Sequence, residues 1–105
     1  MSNLIELGPL DAMPDREVMP FDVDGHQLVV VKAGDSVAVL DAVCPHEGGP
    51  LADGTIEDRK IVCPWHGSTF SLDTGELVDG PSEGPVRTYK VQIIGGVAHL
   101  EWDLT

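Results

Sequence analysis

The chain has 105 residues, 42% of them apolar, which suits one domain with a real but modest core. Its 18 acidic residues against 6 basic ones give a formal net charge of −12, which argues against nucleic acid as a partner, because phosphates need basic counterparts, and points to partners with basic docking faces. No apolar run approaches a membrane span, and Met1-Ser2-Asn3-Leu4-Ile5-Glu6 lacks the basic and long apolar regions of a signal peptide, so a cytoplasmic protein with no membrane partner is expected.

In chain order, Leu4 to Leu7 is a short apolar stretch that reads as a first strand. Gly8 to Met19, with Pro9, Pro14 and three acids, reads as an irregular entry. Glu17 to Val23 alternates like a strand, Asp24-Gly25 is a hairpin signal, and His26 to Lys32 follows as the next strand with Val29-Val30-Val31 at its centre. Ala33-Gly34-Asp35 turns the chain into Ser36 to Ala42, which sets Val37, Val39 and Asp41 against Ala38, Leu40 and Ala42. Asp53-Gly54 turns into a strand near Thr55 to Glu57, Asp58-Arg59-Lys60 is a charged turn, and Lys60 to Val62 leads into Cys63. Ser68 to Ser71 reads as a short strand, Asp73-Thr74-Gly75 as a turn, and Glu76 to Val78 as its return. Asp79 to Pro85, rich in proline, glycine and serine, reads as a connector. Val86 to Ile94 reads as one long strand with Tyr89, Val91 and Ile93 on one face; Gly95-Gly96 turns, and Val97 to Trp102 closes the sheet. Short strands, recurrent turns and no convincing helix spell an all-β antiparallel fold, a sandwich or barrel, with no internal repeat.

The chemistry gathers between Cys44 and His66. The chain reads Cys44-Pro45-His46-Glu47-Gly48-Gly49-Pro50 and then Cys63-Pro64-Trp65-His66-Gly67, so both cysteines and two of the four histidines lie here. Proline and glycine flank each pair, as tight loops require. Two loop tips, each offering a thiolate and an imidazole, make a four-ligand metal site of Cys44, His46, Cys63 and His66. That set suits a tetrahedral zinc, or a [2Fe-2S] cluster with two cysteines on one iron and two histidines on the other. Zinc fingers group their cysteines together and their histidines together; here each loop carries one of each. A disulfide with bystander histidines and a Cys–His nucleophile pair are the remaining readings, the latter needing an orienting group and an oxyanion site. His26 and His99 belong to no spaced ligand set and read as ordinary polar residues; Trp102 reads as core or its rim, and Trp65 as a packing residue beside the second loop.

A C-x-H pair separated by sixteen residues from C-x-x-H resembles the Rieske iron–sulfur proteins, with Gly67 and the later Gly80-Pro81 in keeping. The resemblance implies one Rieske [2Fe-2S] cluster held by Cys44, His46, Cys63 and His66. It implies a single Rieske domain over residues 1–105, in which a small cluster-binding subdomain, about 43–70, is inserted in an antiparallel base. It also makes the 79–85 connector a loop that shields the cluster. The ligand mixture has an electrostatic reason. Two ferric ions, two sulfides and two thiolates sum to zero formal charge, whereas an all-cysteine cluster carries two further negative charges, so the mixed cluster accepts an electron more readily.

Two departures refine the expectation. Respiratory members of the family carry a disulfide between the ligand loops; the matching positions here are Gly49 and Trp65. They also carry a tyrosine where this chain has Phe70, while the nearby serine is kept as Ser68. Fewer hydrogen bonds to cluster sulfurs lower the potential. The chain therefore resembles the ferredoxin component of bacterial aromatic-ring-hydroxylating dioxygenase systems. What this implies is an electron carrier, not an enzyme, that takes electrons from a flavin-dependent NAD(P)H ferredoxin reductase and passes them to a terminal Rieske oxygenase in aromatic hydrocarbon catabolism. The small subunit of an assimilatory nitrite reductase and a zinc-stabilised interaction module are the alternatives.

Overall fold

The Val29-Val30-Val31 run does not alternate because its strand is buried on both faces. The structure, a computed structural model, describes residues 3–43, 50–64, 67–80 and 85–102. Within them the strands are, in chain order, β1 (Asn3–Pro9), β2 (Val18–Val23), β3 (His26–Ala33), β4 (Ser36–Asp41), β5 (Thr55–Glu57), β6 (Lys60–Val62), β7 (Thr69–Ser71), β8 (Leu77–Asp79), β9 (Thr88–Tyr89), β10 (Val91–Ile94) and β11 (Val97–Trp102). They form three sheets, ordered β1-β11-β10, β2-β3-β4-β9 and β5-β6-β7-β8, with antiparallel pairing between every pair of neighbouring strands. The expected all-β antiparallel class is what the chain adopts. Its helical content among the described residues is two single 3₁₀ turns, Leu10–Ala12 and Leu51–Asp53. No helix among those residues is long and apolar enough to cross a membrane.

The middle sheet separates two cores. Val29, Val31, Ala33 and Leu40 pack with Leu51, Ile61, Cys63, Phe70, Leu72 and Val86 on one side. Leu28, Val30 and Val39 pack with Met13, Val23, Ala98, Leu100 and Trp102 on the other. Burying a valine or leucine side chain stabilises by about 1.5–3 kcal/mol, so β3 and β4 anchor both outer layers at once. The β5–β8 sheet lies in sequence between β4 and β9, which are hydrogen-bonded neighbours in the middle sheet. The chain leaves the base, builds the small sheet, and comes back beside the strand it left.

Two stretches differ from the sequence expectation. The irregular entry expected from Gly8 is still strand as far as Pro9, with a register shift between Glu6 and Gly8; the Leu10 N–H then donates to the Gly96 carbonyl at 2.9 Å. The single strand expected over Val86–Ile94 is split at Lys90. Thr88 and Tyr89 pair with β4, whereas Val91 to Ile94 pair with β11, and the Lys90 carbonyl accepts the Glu101 N–H at 2.9 Å. The apolar alternation runs through the crossing unchanged, because Tyr89 and Val91 both face the second core. Ile93 then emerges at 43% exposure. Trp102 is core: its ring stacks on Tyr89 at 5.5 Å and meets the edge of His26 at 5.3 Å.

The return of the chain to the middle sheet depends on Gly75. It sits at φ +77, and a Cβ built there falls 2.1 Å from the Val86 carbonyl oxygen and 2.8 Å from Thr88 Cγ2. Two backbone hydrogen bonds of 2.8 Å, Gly75 N–H to Ser71 O and Val86 N–H to Gly75 O, fix that approach. Gly75→Ala combines left-handed strain, about 1–2 kcal/mol, with a backbone clash, and is expected to lower unfolding stability by more than about 2 kcal/mol. Gly25→Ala is the control: Gly25 lies at φ +83 with nothing within 4 Å of its built Cβ, so about 1 kcal/mol of strain is all it loses. Denaturant unfolding of both variants checks the difference.

Candidate metal centre

The small sheet decides where the loops of interest emerge. Thr55 pairs with Val62, Val62 with Thr69, and Thr69 with Asp79. The start of β5, the end of β6, the start of β7 and the end of β8 therefore lie in one row across one end of the sheet. The chain reaches that row from Pro50–Gly54, departs and returns through Cys63 and Ser68, and departs again at Gly80. The flanks of both ligand-bearing stretches, and of the 79–85 connector, thus meet at a common edge.

Each ligand-bearing stretch has a defined neck. Val43 and Pro50 form an antiparallel bridge around residues 44–49, and the Leu51 N–H donates to the Ala42 carbonyl at 2.8 Å. At the second, the Cys63 N–H donates to the Ser68 carbonyl at 2.8 Å, and the Gly67 N–H to the Cys63 carbonyl at 3.2 Å. Between them the chain runs close to β6: a Cβ built on Gly54 would fall 2.4 Å from the Val62 carbonyl oxygen. Of the four expected ligands, Cys63 is described; Cys44, His46 and His66 lie outside the described residues, as do Trp65 and Pro81. Cys63 is 1% exposed, a free thiol packed in the first core with Phe70 and Ile61. A buried thiol at a loop neck, shielded from water and from oxidative partners, fits a soft-metal thiolate ligand.

Gly80, which follows β8, is seated tightly on the second neck. Gly80, at φ +109, would place a Cβ 2.5 Å from Ser68 Cα and 3.0 Å from Ser68 Oγ, so only glycine brings the backbone this close. The Gly80 N–H is held by Asp79 Oδ1 at 2.9 Å. Gly80 was legible as part of a Gly-Pro loop. The seating of Gly75 on Val86 was not, since a turn glycine carries no sign of what abuts it.

A second feature that local sequence does not reveal is the link between Tyr89 and Asp41, 48 residues apart. The Tyr89 hydroxyl donates to Asp41 Oδ1 at 2.6 Å. At the other end of the small sheet, Arg59 donates to Asp73 from Nε at 3.0 Å and from its second nitrogen, which holds the Asp73 carboxyl below the usual carboxylate range. That pair is exposed, so it contributes little stability.

Comparison with known proteins gives a consistent picture. The Rieske [2Fe-2S] domain family matches residues 3–90. The ferredoxin component of naphthalene 1,2-dioxygenase/salicylate 5-hydroxylase systems from Ralstonia sp is 30% identical over 91 residues, covering 87% of this chain and 88% of the relative. The ferredoxin of carbazole 1,9a-dioxygenase from Nocardioides aromaticivorans IC177 superposes with a TM-score of 0.87 at 31% identity, covering 93% of this chain and 96% of that one. A protein described as the small subunit of an NADH-dependent nitrite reductase, from Mycobacterium tuberculosis, superposes with a TM-score of 0.86 over 100% of this chain and 99% of its own; at 19% identity it shares the fold.

Tyr89 supplies a test of the neck that needs no cofactor readout. Burial, followed by the hydrogen bond to the Asp41 carboxylate, pushes its phenol up to about 12. An unfolded tyrosine ionises near about 10. The folded state therefore favours the neutral phenol: this stability is fully present below pH ~10 and is lost as pH rises through ~12. Because the chain has 1 tyrosine, phenolate absorbance reports this group alone. Titration of the folded protein is expected to show a midpoint near 12, and unfolding stability to fall between those two values; a midpoint at the ordinary tyrosine value would contradict the bond.

Proposed function

The chain belongs to the Rieske [2Fe-2S] domain family, and from that premise we propose that it works as the one-electron ferredoxin of a bacterial ring-hydroxylating oxygenase system. It carries a Rieske-type [2Fe-2S] cluster, and like its ferredoxin relatives it is an electron-transfer component, not a catalyst. The observation that carries the reading is length. The chain covers 88% of the Ralstonia ferredoxin component and 96% of the carbazole system's ferredoxin, so it corresponds to nearly the whole carrier. The family assignment removes the zinc-stabilised module from consideration.

In this reading Cys44 and Cys63 hold one iron and His46 and His66 the other. Buried Cys63 at the edge where the loop flanks converge supports that assignment. When bound, the cluster supplies a reversible one-electron couple. The residues around it position and shield. Ser68 and the Gly80 backbone pack against each other over the second neck, and Leu51, Ile61 and Phe70 keep the interior side of Cys63 dry. The cluster-binding unit proposed for 43–70 falls within the insertion between β4 and β9. The electron donor is a flavin-dependent NAD(P)H ferredoxin reductase, the acceptor is a terminal Rieske oxygenase, and the setting is the cytoplasm. A net charge of −12 suits an encounter with basic docking faces on both partners.

Reconstitution tests the function. Purified holoprotein mixed with a flavin-dependent reductase and a ring-hydroxylating oxygenase is expected to sustain NAD(P)H-dependent hydroxylation that stops when the ferredoxin is omitted. Electron delivery to a sirohaem nitrite reductase, with none to the oxygenase, would favour the nitrite-reductase reading instead.

Phe70 tests the tuning. Its ring is fully buried in the core that contains Cys63. A hydroxyl donated to a cysteine sulfur stabilises the reduced, more negative state more than the oxidised one. Phe70→Tyr is therefore expected to raise the midpoint potential by some tens of millivolts, on the order of 1 kcal/mol, read by voltammetry. A hydroxyl that finds no acceptor would instead appear as lost stability.

A further inference from the structure

We propose that Tyr89 and Asp41 form a positioning pair that fixes the neck of the first ligand loop; this rests on the reading above that Cys44 and His46 are cluster ligands. Asp41 ends β4 and stands three positions before Cys44. It is tied twice to the returning strand. Its N–H donates to the Arg87 carbonyl at 3.0 Å, and its carboxylate accepts the Tyr89 hydroxyl at 2.6 Å. The next residue, Ala42, is held from two other directions, its N–H donating to Gln27 O at 3.0 Å and its carbonyl accepting from the Leu51 N–H at 2.8 Å. The neck is thus braced by β3, by the Leu51 turn and by the Val86–Tyr89 segment.

The third brace is the one that needs the side-chain bond. The β4–β9 ladder has two pairs, Val39 with Tyr89 and Leu40 with Thr88, which is short for a stable strand pairing. A hydrogen bond to a carboxylate is stronger than a neutral one, and it lies at the end of the ladder nearest the loop. Tyr89 is immobilised to make it: one contact is the stacked Trp102 ring at 5.5 Å, another the Arg87 guanidinium 5.0 Å from the ring centroid. Ordering entropy is already spent on packing, so little is lost when the hydroxyl engages. The same segment follows the shielding connector and is locked to the small sheet through Gly75 and Val86. Movement of the first neck is thereby coupled to the segment that ends the connector.

The test uses the holoprotein. Tyr89→Phe keeps the ring and its stacking and removes the bond alone; Asp41→Ala removes the acceptor; Asp41→Asn keeps a carbonyl acceptor without the charge. Iron release to an excess of chelator is expected to quicken about tenfold in Tyr89→Phe and in Asp41→Ala, and only about threefold in Asp41→Asn, whose neutral acceptor keeps about half of the bond. The double variant Tyr89→Phe/Asp41→Ala should release iron no faster than either single one, because both remove the same interaction. Electron paramagnetic resonance of the reduced protein reports ligand geometry, which general loss of stability does not move. Its g-values are expected to shift in Tyr89→Phe and Asp41→Ala and to be retained in Asp41→Asn. A Tyr89→Phe protein with wild-type release and spectrum overturns the pair, as do additive effects in the double variant or an Asp41→Asn protein that behaves like Asp41→Ala. A wild-type protein without a Rieske spectrum overturns the cluster assignment itself, and the pair with it.

Discussion

Two-sided burial of β3 is the constraint on which the rest of the architecture depends. Val29 and Val31 face the small sheet and its loops, while Leu28 and Val30 face the outer sheet that carries Trp102 and Leu100. A strand apolar on both faces must be covered on both, so the chain has to supply two outer layers from what precedes and follows it. The β1, β10 and β11 segments provide one. The insertion between β4 and β9 provides the other, and it spans the stretches proposed to hold the cluster ligands. That insertion is a structural layer in its own right: Cys63, Phe70 and Ile61 close the core over Val29 and Leu40.

This arrangement gives the small sheet a firm base. Strands of three residues are too short to be stable alone. Here they are backed by the middle sheet and pinned by close backbone approaches, Gly54 on Val62, Gly80 on Ser68 and Gly75 on Val86. Backbone contacts of this kind tolerate no added atom, so they fix the strand ends and turns that they join.

The family, the hairpin turns and the all-β class were all readable along the chain, because each rests on a local property: motif spacing, turn chemistry and the period of apolar residues. The glycine-rich turns, Asp24-Gly25 and Gly95-Gly96, appear where expected. The split at Lys90 was not readable, since a strand that changes sheets can keep its alternation while its partners change. Nor did the valine run declare which residue faces which core.

By itself the sequence pointed to the kind of centre this protein carries, through a cysteine–histidine motif that resembles the Rieske proteins, and it determined that strands would build the support. Tertiary structure alone decided the long-range contacts of that support. Tyr89 meets Asp41 across 48 positions, Gly75 meets Val86, and Gly80 rests on Ser68 only because the insertion brings the chain back beside β4. Contacts of that kind arise from packing between segments distant in sequence, and no local period, propensity or motif records them.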